Sequence, residues 1–330
     1  MYRPCVHFLD KVIMLRSNSR VLAGVLAAAV AIPLIYAQTK ANQPDETTTF
    51  RADTRLVVLH ATVADKSGRL LTGLTQKSFR VFENDIEQPI KKVLREDVPV
   101  SMGLIIDNSG SMRTKRQRVE ASALALVKSS NPEDEVFIVN FNDEAFLDKP
   151  FTNDIKELEQ GLAKIDSRGG TAMRDAVRMS IDYLKENGKR DKKVLVVVTD
   201  GDDNNSSVSL ENLIKNAQQS EVLIYTVGLL SEEEKREAKR ASRALNAIAE
   251  ASGGGSYYPK EVGDVDKICQ QVAHDIRSQY IIQYSPTNPT LDGSFRKIRV
   301  VANAPNRPVV RTRSGYYATP DKGPAASSSR

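Results

Sequence analysis

Residues 100–112 read VSMGLIIDNSGSM, and the fold follows from how that stretch divides. Positions 100–106 are apolar or small with no polar alternation, the pattern of a strand covered on both faces. Asp107 closes the strand, and Asn108-Ser109-Gly110-Ser111 turns away from it, with Gly110 allowing the curvature. Moving outward, the spacing predicts a helix over 112–129, ended by Asn131-Pro132, and then a strand EVFIVNF over 135–141. Helices are predicted at 154–164 and 171–187, a strand KVLVVVTD at 193–200, a helix at 209–220 and a strand EVLIYTVGL at 221–229. Helices from Glu232 to Ala251 and over 261–278 complete the series. Apolar strands alternating with helices predict an α/β fold, a doubly wound and mostly parallel sheet with helices on both faces.

The flanks have a different rhythm. LVVLHATVAD (56–65) alternates, Ser78–Glu83 and Gln88–Glu96 read as further strands, and YIIQYSP, GSFRKIRVVA and PVVRTRSGYYA are strand-like again after residue 279. The predicted organisation is a β segment at 54–98, the α/β domain at 99–278 and a second β segment at 279–318 packing with the first, so that the α/β domain is inserted in, or flanked by, a small β-sandwich-like module. Residues 38–53 read as a linker and 319–330 as a tail.

Residues 1–20 are basic, and Val21–Ala37 reads VLAGVLAAAVAIPLIYA. That order is a signal peptide cut after Ala37, with Met14 as an alternative start. The alternative is an uncleaved membrane anchor at 21–37. Either reading puts the remainder in the periplasm, at the cell surface or in the medium. The chain of 330 residues carries 47 Lys and Arg against 42 Asp and Glu, a formal +5. Arg3, Lys11, Arg16, Arg20 and Asp10 precede residue 38, so the charge beyond it falls to +2, too little for binding nucleic acid through its phosphates. Of Cys5, Cys269, His7, His60 and His274, loss of the leader leaves one Cys and two His, too few for a structural zinc site, and those two isolated histidines read as structural.

The informative residues stand at strand ends, where an open α/β sheet forms its crevice. Asp107, Ser109 and Ser111 alternate through the first turn, Thr199-Asp200-Gly201-Asp202 ends a second strand, and Arg168-Gly169-Gly170-Thr171 puts a hydroxyl where a helix begins. Two carboxylates and three hydroxyls are hard oxygen donors, suited to Mg²⁺, Mn²⁺ or Ca²⁺. Two negative charges leave such an ion under-neutralised, and an outside carboxylate can then complete it.

With Asp-x-Ser-x-Ser, Gly-Gly-Thr and a strand-terminal Thr-Asp-Gly in this order, residues 99–278 resemble the von Willebrand factor type A family. The resemblance implies a metal-ion-dependent adhesion site of Asp107, Ser109, Ser111, Thr171 and Asp200, in which the serines and threonine ligate directly and the aspartates act largely through water. It implies Mg²⁺ first, with Mn²⁺ or Ca²⁺ as alternatives, and a protein partner offering an exposed Asp or Glu. Asn108, Gly110, Gly170, Asp175, Gly201 and Asp202 would surround or rim the site. The flanking β segments look like those of VWFA-related proteins of Acidobacteria.

The function this implies is a non-enzymatic binding module, adhesive or scaffolding, with no nucleic-acid partner, no small-molecule substrate and no membrane contact except through residues 21–37. A metal-dependent phosphohydrolase using Asp107 is the enzymatic alternative, although Ser109 replaces the acid that would protonate a leaving group. An envelope protein whose metal only stabilises it is a third reading. Arg113, Lys115, Arg116 and Arg118 read as a solvated helix face, or else as a basic rim steering acidic partners.

Overall fold

The computed structural model describes residues 56–163, 167–230, 235–305 and 307–320. The leader, the linker, Glu232 and the last ten residues lie outside them. The strands are β1 (Val57–Ala64), β2 (Phe79–Glu83), β3 (Ile86–Gln88), β4 (Ile90–Leu94), β5 (Val100–Asp107), β6 (Glu135–Phe141), β7 (Ala145–Thr152), β8 (Lys192–Thr199), β9 (Leu223–Gly228), β10 (Ser256–Tyr257), β11 (Tyr280–Tyr284), β12 (Phe295–Ala302), β13 (Val309–Arg311) and β14 (Gly315–Tyr317). The helices are α1 (Arg116–Lys128), α2 (Ile155–Leu162), α3 (Met173–Asn187), α4 (Leu210–Ser220), α5 (Lys235–Ser252) and α6 (Val265–Arg277).

The central sheet runs β10-β9-β8-β5-β6-β7, parallel except for β7 at one edge. Every residue of β5 is buried, because helices cover both faces. Met102, Leu104 and Ile106 pack with α1, α2 and α6, whereas Ile105 packs with α3, α4 and α5. Gly103 shares the second face. A Cβ there would lie 2.4 Å from the Phe137 ring, so the glycine makes room for that side chain. Strand order changes direction at β5, whose neighbours are β6 on one side and β8 on the other. The tips of β5 and β8 therefore open a crevice between diverging connections.

Two four-stranded sheets, β13-β1-β11-β4 and β14-β12-β2-β3, share a second core containing Leu59, Val81, Tyr280, Ile282 and Ile298. The chain leaves this module at β4 and re-enters it at β11, and those two strands pair antiparallel. Arg277, at the end of α6, grips Asp97 just after β4 at 2.5 Å, tying exit and entry together.

The structure corrects several sequence-based boundaries. Pro89 splits the strand predicted at 88–96, leaving β3 in one sheet and β4 in the other, since proline cannot donate to a ladder. The helix predicted from Met112 begins as a 3-10 turn at Gly110–Thr114, and α1 starts only at Arg116. Strand β7 was not predicted. Its half-exposed edge position and the charged and prolyl residues of AFLDKPFT blur the alternation. Cys269 is buried in the core.

Candidate functional site

The turn after β5 begins with Asp107, which has no exposed surface. Its Oδ1 accepts from the Ser109 amide at 2.8 Å and its Oδ2 from the Thr199 hydroxyl at 2.6 Å. The Ser109 and Ser111 hydroxyls are 3.1 Å apart, and Ser111 Oγ donates to Asp200 Oδ1 at 2.8 Å. Hydrogen bonds thus link Asp107, Ser109, Ser111 and Asp200 across the tips of β5 and β8, the first of them through the Ser109 amide. Asp107, Ser109 and Asp200 are buried, and the line reaches the surface at Ser111.

Thr171 joins this group through the backbone rather than through a hydrogen bond to the four. The Gly110 amide donates to Gly169 O at 3.3 Å, and the Thr171 amide donates to Asn204 Oδ1 at 2.9 Å. Gly169 has φ +75°, and a Cβ there would lie 2.2 Å from Asp143 Oδ2. The Gly170 amide donates to Asp143 Oδ1 at 2.7 Å, so the glycine pair lets a carboxylate press against the loop that presents Thr171. Asn108 braces the same loop, accepting from the Arg168 amide at 3.1 Å and from Ser167 Oγ at 3.2 Å.

Burial pushes the Asp107 carboxyl up to about 6; hydrogen bonds from Thr199 and Ser109 oppose this, and the Asp200 charge adds to it. Lys115 Nζ lies 2.6 Å from Asp200 Oδ2. The basic residues read as a solvated face are therefore divided. Arg116 is buried, donating to Asn140 Oδ1 at 2.7 Å, because the 3-10 turn rotates it inward instead of leaving it on an outer helix face. Arg113 donates to Ser167 O at 3.1 Å, and Arg118 pairs with Asp266.

The surrounding residues also separate. Gly201 donates its amide to Thr199 Oγ1 at 3.4 Å, next to the site. Asp202 pairs with Arg240 at 2.7 Å. The Asp175 carboxylate turns to the following loop, accepting from the Ser207 and Val208 amides at 2.9 Å each, where it fixes the loop after β8. Asp143 and Asn204 have no part in the sequence reading, because they reach the site only through loop packing. Thr199 enters it only as part of the strand end beside Asp200, although a hydroxyl closing an otherwise apolar VVV run marks it, and Lys115 only as one of the basic residues read as a solvated face or a steering rim.

Among the described residues, no three His, Cys, Asp or Glu side chains converge on a metal position. The donor set here is two carboxylates with hydroxyls, and its partly neutralised, hard-oxygen character fits a divalent cation of the Mg²⁺ type.

A model of the von Willebrand factor type A domain matches residues 102–202. With the sheet and the strand-tip turns, this match gives the region around residues 102–202 a von Willebrand factor type A-like α/β fold. It is 24% identical over 135 residues to inter-alpha-trypsin inhibitor heavy chain H4 of Bos taurus, covering 37% of this chain and 15% of that protein. It is 28% identical over 170 residues to calcium-activated chloride channel regulator 1 of Mus musculus, covering 48% of this chain and 17% of that protein. The match thus spans less than a fifth of either relative. Among solved structures, a von Willebrand factor type A protein from Catenulispora acidiphila covers 82% of this chain and 75% of its own, with 13% identity and a TM-score of 0.48.

Proposed function

We propose that this chain is an exported binding module without catalytic activity, which takes a carboxylate of a protein partner through a divalent cation held by Asp107, Ser109, Ser111, Thr171 and Asp200. The observation that carries this reading is the hydrogen-bonded line from buried Asp107 to exposed Ser111 across two strand tips. Mg²⁺ is the proposed ion, and when bound it supplies an electrophilic centre that an outside carboxylate can complete. Von Willebrand factor type A domains are generally adhesive and non-enzymatic, in keeping with this. Asp107 has both oxygens engaged and no exposed surface, an arrangement for holding an ion in place rather than for attacking phosphorus. Export rests on the basic and apolar order of residues 1–37; among the described residues no helix is long and apolar enough to cross a membrane.

Crosslinking on intact cells, with and without a chelator, tests the mechanism. The partner is expected to be recovered with Mg²⁺ present and lost when the ion is stripped. Recovery that ignores the chelator contradicts metal bridging.

Lys115 is the chain's own competitor for the site, since its ammonium already occupies one oxygen of Asp200. Lys115→Gln removes that charge and is expected to tighten Mn²⁺ binding about tenfold, or about 1.4 kcal/mol. Calorimetric titration reads this directly, and an unchanged or weaker constant means that Lys115 does not compete.

A further inference from the structure

At the opposite end of β8 from Asp200, about 26 Å away along the strand, a cavity of about 760 Å³ lies between the α/β domain and the β-sandwich. Strand β1 contributes Val58 and His60, β11 contributes Ile281, the start of β8 contributes Lys192 and Lys193, and β9 contributes Leu223. Lys189, Arg190 and Arg313 also line it, against two acids, Asp191 and Glu221. Arg313 is bound to Glu221 at 3.1 Å, and among the described residues it is the one lining cation with an acid partner. Three of the others donate to carbonyls instead: Arg190 Nη2 to Glu133 O at 2.7 Å, Lys193 Nζ to Arg190 O at 3.0 Å, and Lys192 Nζ to Ile276 O. Carbonyls satisfy the hydrogen bonds of Arg190 and Lys193 but leave their charge uncompensated, whereas the Asp97 and Asp134 charges act on Lys192.

Three nitrogens of lining residues are buried without any partner: His60 Nδ1, Arg190 Nε and Arg313 Nε. An unmatched buried polar atom carries a cost, and three of the eleven among the described residues belong to residues lining this one cavity. The local field agrees, because burial and the charges of Lys192 and Arg313 hold the His60 imidazole down at about 3. The volume is that of a small-molecule site, and a boundary between domains is where such sites form.

We propose that this cavity binds a small amphipathic anion, a carboxylate or phosphate head carrying a short apolar body. The head would take the orphaned nitrogens and the uncompensated charge of Lys189 and Lys193, and the body would lie on Val58, Leu223 and Ile281. This ligand is distinct from the protein partner proposed for the strand-tip site, and the two readings stand or fall separately.

Octyl phosphate is the probe, titrated calorimetrically into the full chain in the presence of chelator, with octanol and inorganic phosphate as arms that isolate body and head. Octyl phosphate is expected to bind at least thirtyfold more tightly than either arm. Arg313→Gln is expected to weaken it tenfold or more. Because Arg313 also holds Glu221 and Val58 O, the double variant Lys189→Glu, Lys193→Glu provides a second measurement, with the same expected loss from residues at the cavity's outer side. Octyl phosphate binding no better than octanol, or equally well to the double variant, overturns the proposal.

Discussion

Replacing Asp107 with asparagine is expected to weaken Mn²⁺ binding at least a hundredfold, or about 3 kcal/mol, and to abolish metal-dependent capture of the partner. Asp107 supplies one of only two carboxylates in the donor set, and the resulting site would face a divalent ion with a single formal negative charge. The fold should survive the change. An asparagine Oδ1 can still accept one of the bonds that Ser109 and Thr199 donate to Asp107, and removing a fully buried carboxylate relieves the burial that raises its pKa. Circular dichroism of the variant should therefore match that of the parent while titration shows no metal binding. Undiminished Mn²⁺ binding in Asp107→Asn would remove the site from the proposal altogether.

Glu83→Ala is expected to cost about 3–5 kcal/mol of stability, the usual effect of stripping one partner from a buried ion pair. Glu83 and Arg296 are each 3% exposed at the side chain and meet at 3.0 Å inside the sandwich. The second Glu83 oxygen accepts from Tyr284 at 2.8 Å and from Tyr316 at 3.0 Å. Truncation leaves a guanidinium and two hydroxyls facing a cavity. Denaturant unfolding measures the loss, and Arg80→Ala serves as the control. Arg80 pairs with Glu87 at 2.5 Å on the neighbouring strand, but both partners are more than half exposed, so its midpoint should hardly move. Equal effects from the two substitutions would show that the internal pair contributes no more than a surface contact.

The α/β alternation was legible because β5, β6, β8 and β9 are covered on both faces and must be apolar along their length. Edge strand β7 was not legible for the converse reason. It is covered on one side only, so its sequence carries little of the signal. At the site, Asp107, Ser109, Ser111 and Asp200 were readable as strand-end residues, and the structure joins them in one hydrogen-bonded line. Thr171 was readable as a helix-start hydroxyl, and it reaches the group through loop contacts that no local pattern encodes. Lys115 and Arg116 are adjacent and chemically alike, yet one faces Asp200 and the other is buried against Asn140. A 3-10 turn of five residues separates those outcomes, and helical periodicity cannot anticipate it.

The amino-acid order alone determined the strands covered on both faces, the helices, and which polar residues sit at strand ends, because each of those depends on neighbours within a few positions. The tertiary structure decided which strand ends lie side by side, which basic side chains turn inward, and that β4 and β11 pair across the inserted domain. It also created the cationic cavity, whose walls come from β1, β8, β9 and β11. Those outcomes depend on packing between residues on separate elements, 24 positions apart for Arg116 and Asn140 and 92 for Asp107 and Thr199, where burial and charge are settled by the assembled chain and not by any stretch of it.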